Sequence, residues 1–117
     1  MTPVAVLVHV SDVKSGLAWY QKAFPEAVSV YHPEFDFTLL DLNGFSLEIV
    51  QADEKVDSGK KGTVVYWAVA NLVEALDHFE TLGARLYRGP MEIEHGLSMC
   101  RIEDPFGNLI GLREIAT

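Results

Sequence analysis

The amino-acid sequence predicts an α+β fold in which two βαβββ modules form one domain. Three observations lead to this prediction. Strand-like and helix-like segments follow one another in the same order in each half of the chain, a polar stretch separates the halves, and the halves match when one is shifted by 59 residues. A chain of 117 residues, 49% hydrophobic and 22% charged, has the composition of an ordinary globular protein, and one domain is expected at this length.

The first module covers residues 1–51 and contains one strand, one helix and three further strands. We place these elements at residues 4–10, 12–24, 27–31, 35–42 and 45–51. The first strand is apolar at nearly every position, which is typical of a strand covered on both faces. Asp12 is a suitable N-cap for the helix, which ends before Pro25. The last two strands are joined by Asn43-Gly44, the dipeptide most typical of a two-residue hairpin turn.

A polar stretch without periodicity, residues 52–62, is typical of a linker. The second module, residues 63–117, repeats the order of the first, with elements at residues 63–69, 71–82, 84–87, 97–102 and 108–115. Gly83 closes the helix, and a loop that runs through Gly96 is expected after the third element. An Asp-Pro-Phe-Gly turn at residues 104–107 precedes the last strand.

The two modules match over their best-defined parts. Shifted by 59 positions, residues 10–20 lie over residues 69–79, so that the strand end, the helix cap, the apolar spacing and an aromatic residue coincide. The strand-turn-strand segment 40–48 likewise lies over residues 103–111. We therefore interpret the chain as a duplicated βαβββ unit.

Charge and cysteine content narrow the possible partners. A formal net charge of −8 repels nucleic acid and anionic lipid surfaces, so neither is expected as a partner, and neutral or cationic ligands fit better. The single cysteine, Cys100, cannot form a disulfide within the chain, and no Cys/His cluster indicates a zinc site. The start, Met1-Thr2-Pro3, resembles no targeting signal and no stretch is long enough for a membrane span, so a cytoplasmic location is expected.

Five segments spread over nearly the whole chain carry a resemblance to a known family: Val10-Ser11-Asp12-Val13, residues 15–20, Leu47-Glu48-Ile49-Val50, Val69-Ala70-Asn71-Leu72 and residues 104–112. In order and spacing these segments resemble the vicinal oxygen chelate superfamily, which includes glyoxalase I, extradiol dioxygenases and bleomycin-resistance proteins. The pattern is most similar to the metal-free, bleomycin-resistance-like members. The resemblance implies the glyoxalase/bleomycin-resistance/dioxygenase fold, with curved mixed sheets around a cleft, and a homodimer that forms side by side or by exchange of modules.

The resemblance also implies four positions for metal ligands, one near the start of the first strand and one in the last strand of each module. These positions are Ala5, Glu48, Val64 and Gly111. Only Glu48 carries a side chain that can coordinate a divalent ion. No metal cofactor is therefore expected. Another register could bring His9 and Tyr66 to the first-strand positions, since His9 shares the face of Ala5, four residues farther along, and Tyr66 shares the face of Val64; this alternative leaves a divalent metal possible.

Side chains alternate across a strand, which assigns the strand residues to two faces. The residues expected to line the cleft are Ala5, Leu7, His9, Ser46, Glu48, Val50, Val64, Tyr66, Ala68, Leu109, Gly111 and Arg113. Such a lining, mostly apolar with a few polar groups, is typical of a site for a small organic molecule. The ligand-binding candidates among them are Leu7, His9, Glu48, Val50, Tyr66, Leu109 and Arg113. His32 and His95 lie in or beside loops that could cover the cleft, and together with Tyr31, Phe35, Met91 and Met99 they are expected to shape ligand selectivity.

Glu48 and His9 are the candidate catalytic residues. A carboxylate among apolar neighbours is expected to have a raised pKa and could act as a general base or pair with a cationic ligand. The alternatives for Glu48 are a salt bridge to Arg113 and exposure at the mouth of the cleft. His9 could transfer a proton, or be a hydrogen-bonded histidine at a strand end.

Two functions follow from these residues, and a third is simpler. The first is a metal-free binding protein for an apolar, aromatic or cationic compound in the cleft between the modules. The second is an enzyme, a lyase, isomerase or dioxygenase of the same superfamily, that uses Glu48 with an atypical or absent metal. The third is an interaction module that only dimerises.

Overall fold

The computed structural model describes residues 1–116 and contains two four-stranded mixed sheets and two α-helices. The chain divides into two compact units between Ser58 and Gly59, within the predicted linker. The elements of the first unit are β1 (Ala5–Val10), α1 (Val13–Ala23), β2 (Val28–His32), β3 (Phe37–Leu42) and β4 (Phe45–Gln51). Those of the second unit are β5 (Tyr66–Val69), α2 (Leu72–Thr81), β6 (Arg85–Glu92), β7 (Ser98–Glu103) and β8 (Leu109–Glu114). No helix within residues 1–116 has the length and hydropathy needed to cross a membrane.

Both units have the same topology. The strand order is β1-β4-β3-β2 in the first sheet and β5-β8-β7-β6 in the second. In each sheet the first and last strands of the unit pair in parallel, and the other neighbours are antiparallel. The βαβββ order predicted for each module is therefore confirmed.

The two helices begin in the same way. The side chain of Asp12 accepts a hydrogen bond from the backbone N–H of Ser15 at 3.3 Å, and the side chain of Asn71 accepts one from Glu74 at 3.0 Å. Both cap residues have extended backbones, as N-cap residues usually do. Asp12 and Asn71 are 59 positions apart, which is the offset of the sequence repeat.

The turns before the last strands also correspond. Asn43 and Gly44 join β3 to β4 with positive φ angles of 53° and 90°, and the N–H of Gly44 donates to the Asp41 carboxylate at 3.2 Å. The turn between β7 and β8 has Asp104 at the equivalent of Asp41, and Asp104 accepts two backbone N–H groups at 2.8 and 2.9 Å. Gly107, equivalent to Gly44, has a φ of 91°. The turns therefore align position 48 of the first unit with position 111 of the second.

Each helix covers one face of its own sheet. The fully or almost fully buried strand side chains on that face are Val10, Leu40, Leu47 and Ile49 in the first unit and Cys100, Ile102, Ile110 and Leu112 in the second. The buried helix residues that pack over them include Tyr20 on α1 and Phe79 on α2. This burial agrees with the predicted alternation of strand residues between two faces.

One strand is longer than predicted. Residues 88–92 were expected to belong to a loop, but they continue β6 and pair with β7 through two irregularities of register. Because β6 is an edge strand, it can contain Pro90, which has no N–H to donate, and Gly89, whose φ is 93°. All eight residues of β6 are exposed, so no alternation of apolar residues marks the strand in the sequence. β5, conversely, begins at Tyr66 and is shorter than predicted.

Candidate functional site

The face of each sheet opposite its own helix, called here the open face, carries the predicted site residues. In the first unit, β1 and β4 pair so that Leu7 lies opposite Glu48 and His9 opposite Val50. Ala5 lies opposite Ser46 on the same face. On the open face, β1 and β4 therefore combine apolar side chains with the Glu48 carboxylate and the His9 imidazole.

Glu48 is held by a neighbour on its own strand. The hydroxyl of Ser46, two residues earlier and on the same face, donates a hydrogen bond to Oε2 of Glu48 at 2.9 Å. The Glu48 side chain is half-buried, and its cross-strand neighbour Leu7 is 50% exposed. Serine thus orients the carboxylate beside an apolar surface that a ligand could cover.

His9 lies two positions farther along the same face. From the spacing and rise of β-strands, its Cα is about 8 Å from that of Glu48. The backbone N–H groups of Val56 and Lys55, both at 2.8 Å, lower the pKa of Asp53, and the charge of His9 lowers it further. His9 and Glu48 lie on one face, with Cα atoms close enough for both side chains to reach one small molecule between them.

The second unit has a different pair at the equivalent position. Tyr66 on β5 lies opposite Gly111 on β8. A Cβ atom added to Gly111 would lie 2.6 Å from Cγ and Cδ2 of the Tyr66 ring, closer than any real contact. The aromatic ring therefore lies on the backbone of Gly111, and only glycine leaves room for it.

Two arginines hold the Tyr66 ring from different sides. Nε of Arg101 donates a hydrogen bond to the tyrosine hydroxyl at 2.6 Å. The guanidinium carbon of Arg113 lies 4.7 Å from the ring centroid, a distance typical of a cation–π contact. The guanidinium carbon of Arg101 lies farther from the centroid, at 5.8 Å, so its contact with Tyr66 is the hydrogen bond at the hydroxyl end.

Arg101 was not predicted as a site residue. It lies on the open face because β7 and β8 pair with Arg101 opposite Gly111 and Met99 opposite Arg113. The sequence contains the required alternation, since Arg101 and Met99 are two residues apart in one predicted strand. The turn at Asp104 sets the register of β7 against β8, and β8 in turn pairs with β5, which brings Arg101 next to Tyr66. The spacing of residues within one strand does not show these pairings.

The charged residues of this face fall into two groups. Glu103 forms ion pairs with Lys60 at 3.2 Å and with Arg85 at 3.4 Å. Arg88 is the cross-strand partner of Arg101. Within residues 1–116, no carboxylate lies in ion-pair distance of Arg88, Arg101 or Arg113. We call these three residues the arginine cluster.

The residues at the four metal positions of the family do not fit a divalent metal. In the first unit Ala5 lies beside Ser46 and offers no donor atom, which leaves Glu48 alone. In the second unit Val64 also has no donor atom, and the space above Gly111 is filled by the Tyr66 ring. Within residues 1–116, no three or more His, Cys, Asp or Glu side chains are grouped as metal ligands would be.

The remaining predicted site residues have varied positions. Val50 and Leu109 are half-buried on the open faces of their sheets. Met91, predicted to belong to a loop, is instead the cross-strand partner of Met99 in β7, because β6 continues beyond its predicted end. The hydroxyl of Tyr31 donates to Asp36 at 2.8 Å, and this hydrogen bond raises the pKa of Tyr31.

Comparison with known proteins supports the same family throughout the chain. The family model described as the Glyoxalase/Bleomycin resistance protein/Dioxygenase superfamily matches residues 3–112. No curated protein matches the sequence.

Solved structures share the fold at low sequence identity. A glyoxalase/bleomycin resistance protein/dioxygenase family enzyme from Burkholderia phytofirmans PsJN superposes with a TM-score of 0.76 and 18% identity, over 96% of this chain and 97% of the other. A glyoxalase-related enzyme from Fulvimarina pelagi gives a TM-score of 0.76 and 16% identity, over 98% and 88%. A protein from the mobile metagenome of V. Pseudocholerae gives a TM-score of 0.76 and 17% identity, over 100% of this chain and 96% of the other. With a family model that covers nearly the whole sequence and the repeated βαβββ topology, the chain belongs to the Glyoxalase/Bleomycin resistance protein/Dioxygenase superfamily.

Proposed function

We propose that this protein reversibly binds a small organic molecule with an aromatic or apolar body, and that it does so without a resident metal ion. The observation that carries the proposal is the packing of Tyr66 on Gly111. At the position equivalent to the carboxylate of the first unit, the second unit presents an aromatic ring. A ring of this kind binds planar or apolar ligands by stacking and by burial of apolar area.

The residues around the two candidate positions are suited to such a ligand. Leu7 in the first unit is 50% exposed and Met91 in the second is 37% exposed, so a ligand bound on either open face would remove apolar surface from water. Polar groups on the same faces include the Glu48 carboxylate and the Tyr66 hydroxyl, both already oriented by hydrogen bonds. Fixed polar groups among apolar side chains give a ligand a defined orientation at low entropic cost.

The metal part of the proposal is tested by calorimetric titration of the purified protein with Zn²⁺, Ni²⁺ and Mn²⁺. We expect no tight binding at one ion per chain, because three of the four family positions lack a donor atom. Tight stoichiometric binding that is lost in Glu48→Gln would overturn this part. Asp41→Asn is the matched control, since Asp41 is the other carboxylate on the open face of the same sheet.

The ligand part is tested with 2-naphthamide, a neutral aromatic probe whose fluorescence reports binding. We expect binding that is weakened in Tyr66→Leu and unchanged in Tyr87→Leu, which removes an exposed tyrosine 49% accessible on β6. Binding that is equally strong in both variants would show that Tyr66 is not part of the site.

A second candidate function is metal-free acid–base catalysis by Glu48 and His9. The observation that favours it is their position on neighbouring strands and on one face, about 8 Å apart at Cα. Two such groups could remove and return a proton on a small carbonyl compound, as isomerases and lyases do. The test is deuterium incorporation from solvent into hydroxyacetone, followed by NMR. Exchange no faster than in buffer, or equal in wild type, Glu48→Gln and His9→Gln, would rule this function out for that substrate class.

A further inference from the structure

The open face of the second sheet is where the positive charge of the chain collects. Residues 1–58 contain three basic and nine acidic residues, and residues 59–117 contain six basic and eight acidic ones. All four arginines of the sequence lie in the second sheet, on the face that bears Tyr66, and they are Arg85, Arg88, Arg101 and Arg113. A chain with a formal charge of −8 thus places every arginine on a single sheet face.

The positive charges of the arginine cluster repel one another unless a negative group lies near them. Arg88 and Arg101 are direct cross-strand partners, and like charges at such positions repel each other. Glu103, on the same face, is already shared by Lys60 and Arg85. Within the part of the chain that the structure describes, no other carboxylate is close enough to neutralise the cluster. An anion supplied from solution would relieve this repulsion.

The geometry around Tyr66 prepares two guanidinium groups for such an anion. Arg101 uses Nε for the tyrosine hydroxyl, so its two terminal amino groups can still donate to another acceptor. Arg113 rests against the ring at 4.7 Å, and the ring restricts the conformations of its side chain. Planar guanidinium groups that are held in place bind carboxylates through two parallel hydrogen bonds.

We infer that Arg101 and Arg113 bind the carboxylate of an aromatic acid, whose ring lies against Tyr66. This inference rests on the proposed function and specifies the charge of its ligand. It favours an anion over the cationic ligand suggested by the overall charge, because the local charge at Tyr66 is opposite in sign to that of the whole chain. Long polyanions do not fit the site, since the acidic surface elsewhere on the chain would repel them.

Three probes of the same shape and different charge separate the possibilities: 2-naphthoate, 2-naphthamide and 2-naphthamidine. Their dissociation constants are measured by fluorescence with the wild-type protein at low ionic strength. We expect 2-naphthoate to bind at least about tenfold more tightly than 2-naphthamide, and 2-naphthamidine to bind most weakly. Added salt should weaken 2-naphthoate binding and leave 2-naphthamide binding almost unchanged.

Two variants test the residues themselves. Arg113→Gln and Arg101→Gln should each weaken 2-naphthoate binding about tenfold and have little effect on 2-naphthamide. The matched control is Arg85→Gln, which removes an arginine of the same face that is paired with Glu103. Arg101→Gln removes the hydrogen bond to the Tyr66 hydroxyl and could weaken the sheet. Arg113 is exposed and contacts only the face of the ring among the described residues, so Arg113→Gln is expected to fold in either case. Thermal unfolding of each variant verifies that it is folded.

The possible results distinguish this inference from the proposed function. If the three probes bind equally, or if 2-naphthamidine binds best, the inference is overturned, whereas binding that still depends on Tyr66 leaves the proposed function standing. If 2-naphthoate binds the wild type tightly and its dissociation constant is the same for Arg113→Gln, Arg101→Gln and Arg85→Gln, the anion is bound elsewhere and the inference is overturned. If none of the probes binds at millimolar concentration, both the inference and the proposed function fail.

Discussion

The ring of Tyr66 lies on the backbone of Gly111, its cross-strand neighbour, at a distance that leaves no room for a Cβ atom. The equivalent pair in the first unit is Leu7 and Glu48. Two modules with one topology therefore carry a carboxylate beside an aliphatic side chain in one case and an aromatic ring over glycine in the other.

Gly111→Ala should destabilise the protein by about 1–3 kcal/mol, because the new methyl group must displace the Tyr66 ring or shift β5. Backbone strain does not contribute, since the φ of Gly111 lies outside the left-handed region. Urea denaturation measures the loss. Gly59→Ala is the control, as its methyl group would meet open space, and we expect it to be neutral or slightly stabilising. Equal stability of Gly111→Ala and wild type would show that the ring does not rest on Gly111.

Gly16→Ala should also destabilise the protein, although alanine favours helices by about 1 kcal/mol over glycine. A Cβ atom at position 16 of α1 would lie 2.9 Å from side-chain atoms of both Val10 and Ile49, which are fully buried. The clash should exceed the gain in helix propensity and give a net loss of about 1–2 kcal/mol. Position 75 of α2, equivalent by the 59-residue offset, is already alanine.

Chemical denaturation of Gly16→Ala alone and together with Val10→Ala tests this packing. Val10→Ala removes Cγ1 and Cγ2, the Val10 atoms that a Cβ at position 16 would meet, so it should reduce the effect of Gly16→Ala and the two changes should not be additive. A Gly16→Ala variant more stable than wild type would mean that α1 does not approach its sheet this closely.

The two N-caps should make similar contributions to stability. Asp12→Ala and Asn71→Ala each remove a hydrogen bond to a backbone N–H of the first helical turn, and each should cost about 1 kcal/mol. Asp12→Asn keeps an acceptor at the same position and should cost much less. The free energy of unfolding of the three variants tests this. If Asp12→Asn were as damaging as Asp12→Ala, the side-chain oxygen at residue 12 would not be acting as a cap.

Cys100 should make stability depend on pH in the alkaline range. Burial raises the pKa of its thiol, and the negative charge of Glu80 adds to the effect. A group whose pKa is higher in the folded than in the unfolded state stabilises the fold below the unfolded pKa, about 8.5 for a thiol, and this stabilisation is lost as the pH rises toward the folded pKa. Stability should therefore fall above about pH 8.5.

Comparison with Cys100→Ala isolates this contribution. The free energy of unfolding is measured at several pH values between neutral and about pH 10 in both proteins. The variant should be less stable at neutral pH, because it leaves a small cavity, and should lose less stability as the pH rises. Parallel pH profiles would show that the Cys100 thiol titrates alike in the folded and unfolded states.

Local patterns in the sequence were sufficient for most of the fold. The caps at Asp12 and Asn71, the Asn43-Gly44 turn and the alternation of apolar residues depend on neighbours within a few positions, so they can be recognised without tertiary structure. The same alternation predicted that Tyr66 and Gly111 share a face, which the strand register confirms. The family and the topology follow from these features together.

Features that depend on long-range pairing were missed. The continuation of β6 to Glu92 gives no sequence signal, because an exposed edge strand needs no apolar alternation. The sequence did not predict the hydrogen bond from Arg101 to the Tyr66 hydroxyl, because this contact requires the pairing of β5, β7 and β8. The metal ligands absent at Ala5, Val64 and Gly111 could be recognised from the sequence, but what fills the space above Gly111 could not.

The sequence by itself thus determined the duplicated βαβββ order and the family, since both follow from residue identity and short-range spacing. Only the tertiary structure decided that Tyr66 rests on Gly111, that Arg101 and Arg113 contact its side chain, and that Arg88 lies opposite Arg101. The physical reason is that strand register sets which side chains meet across a sheet, and register is fixed by hydrogen bonding and packing between residues far apart in the chain.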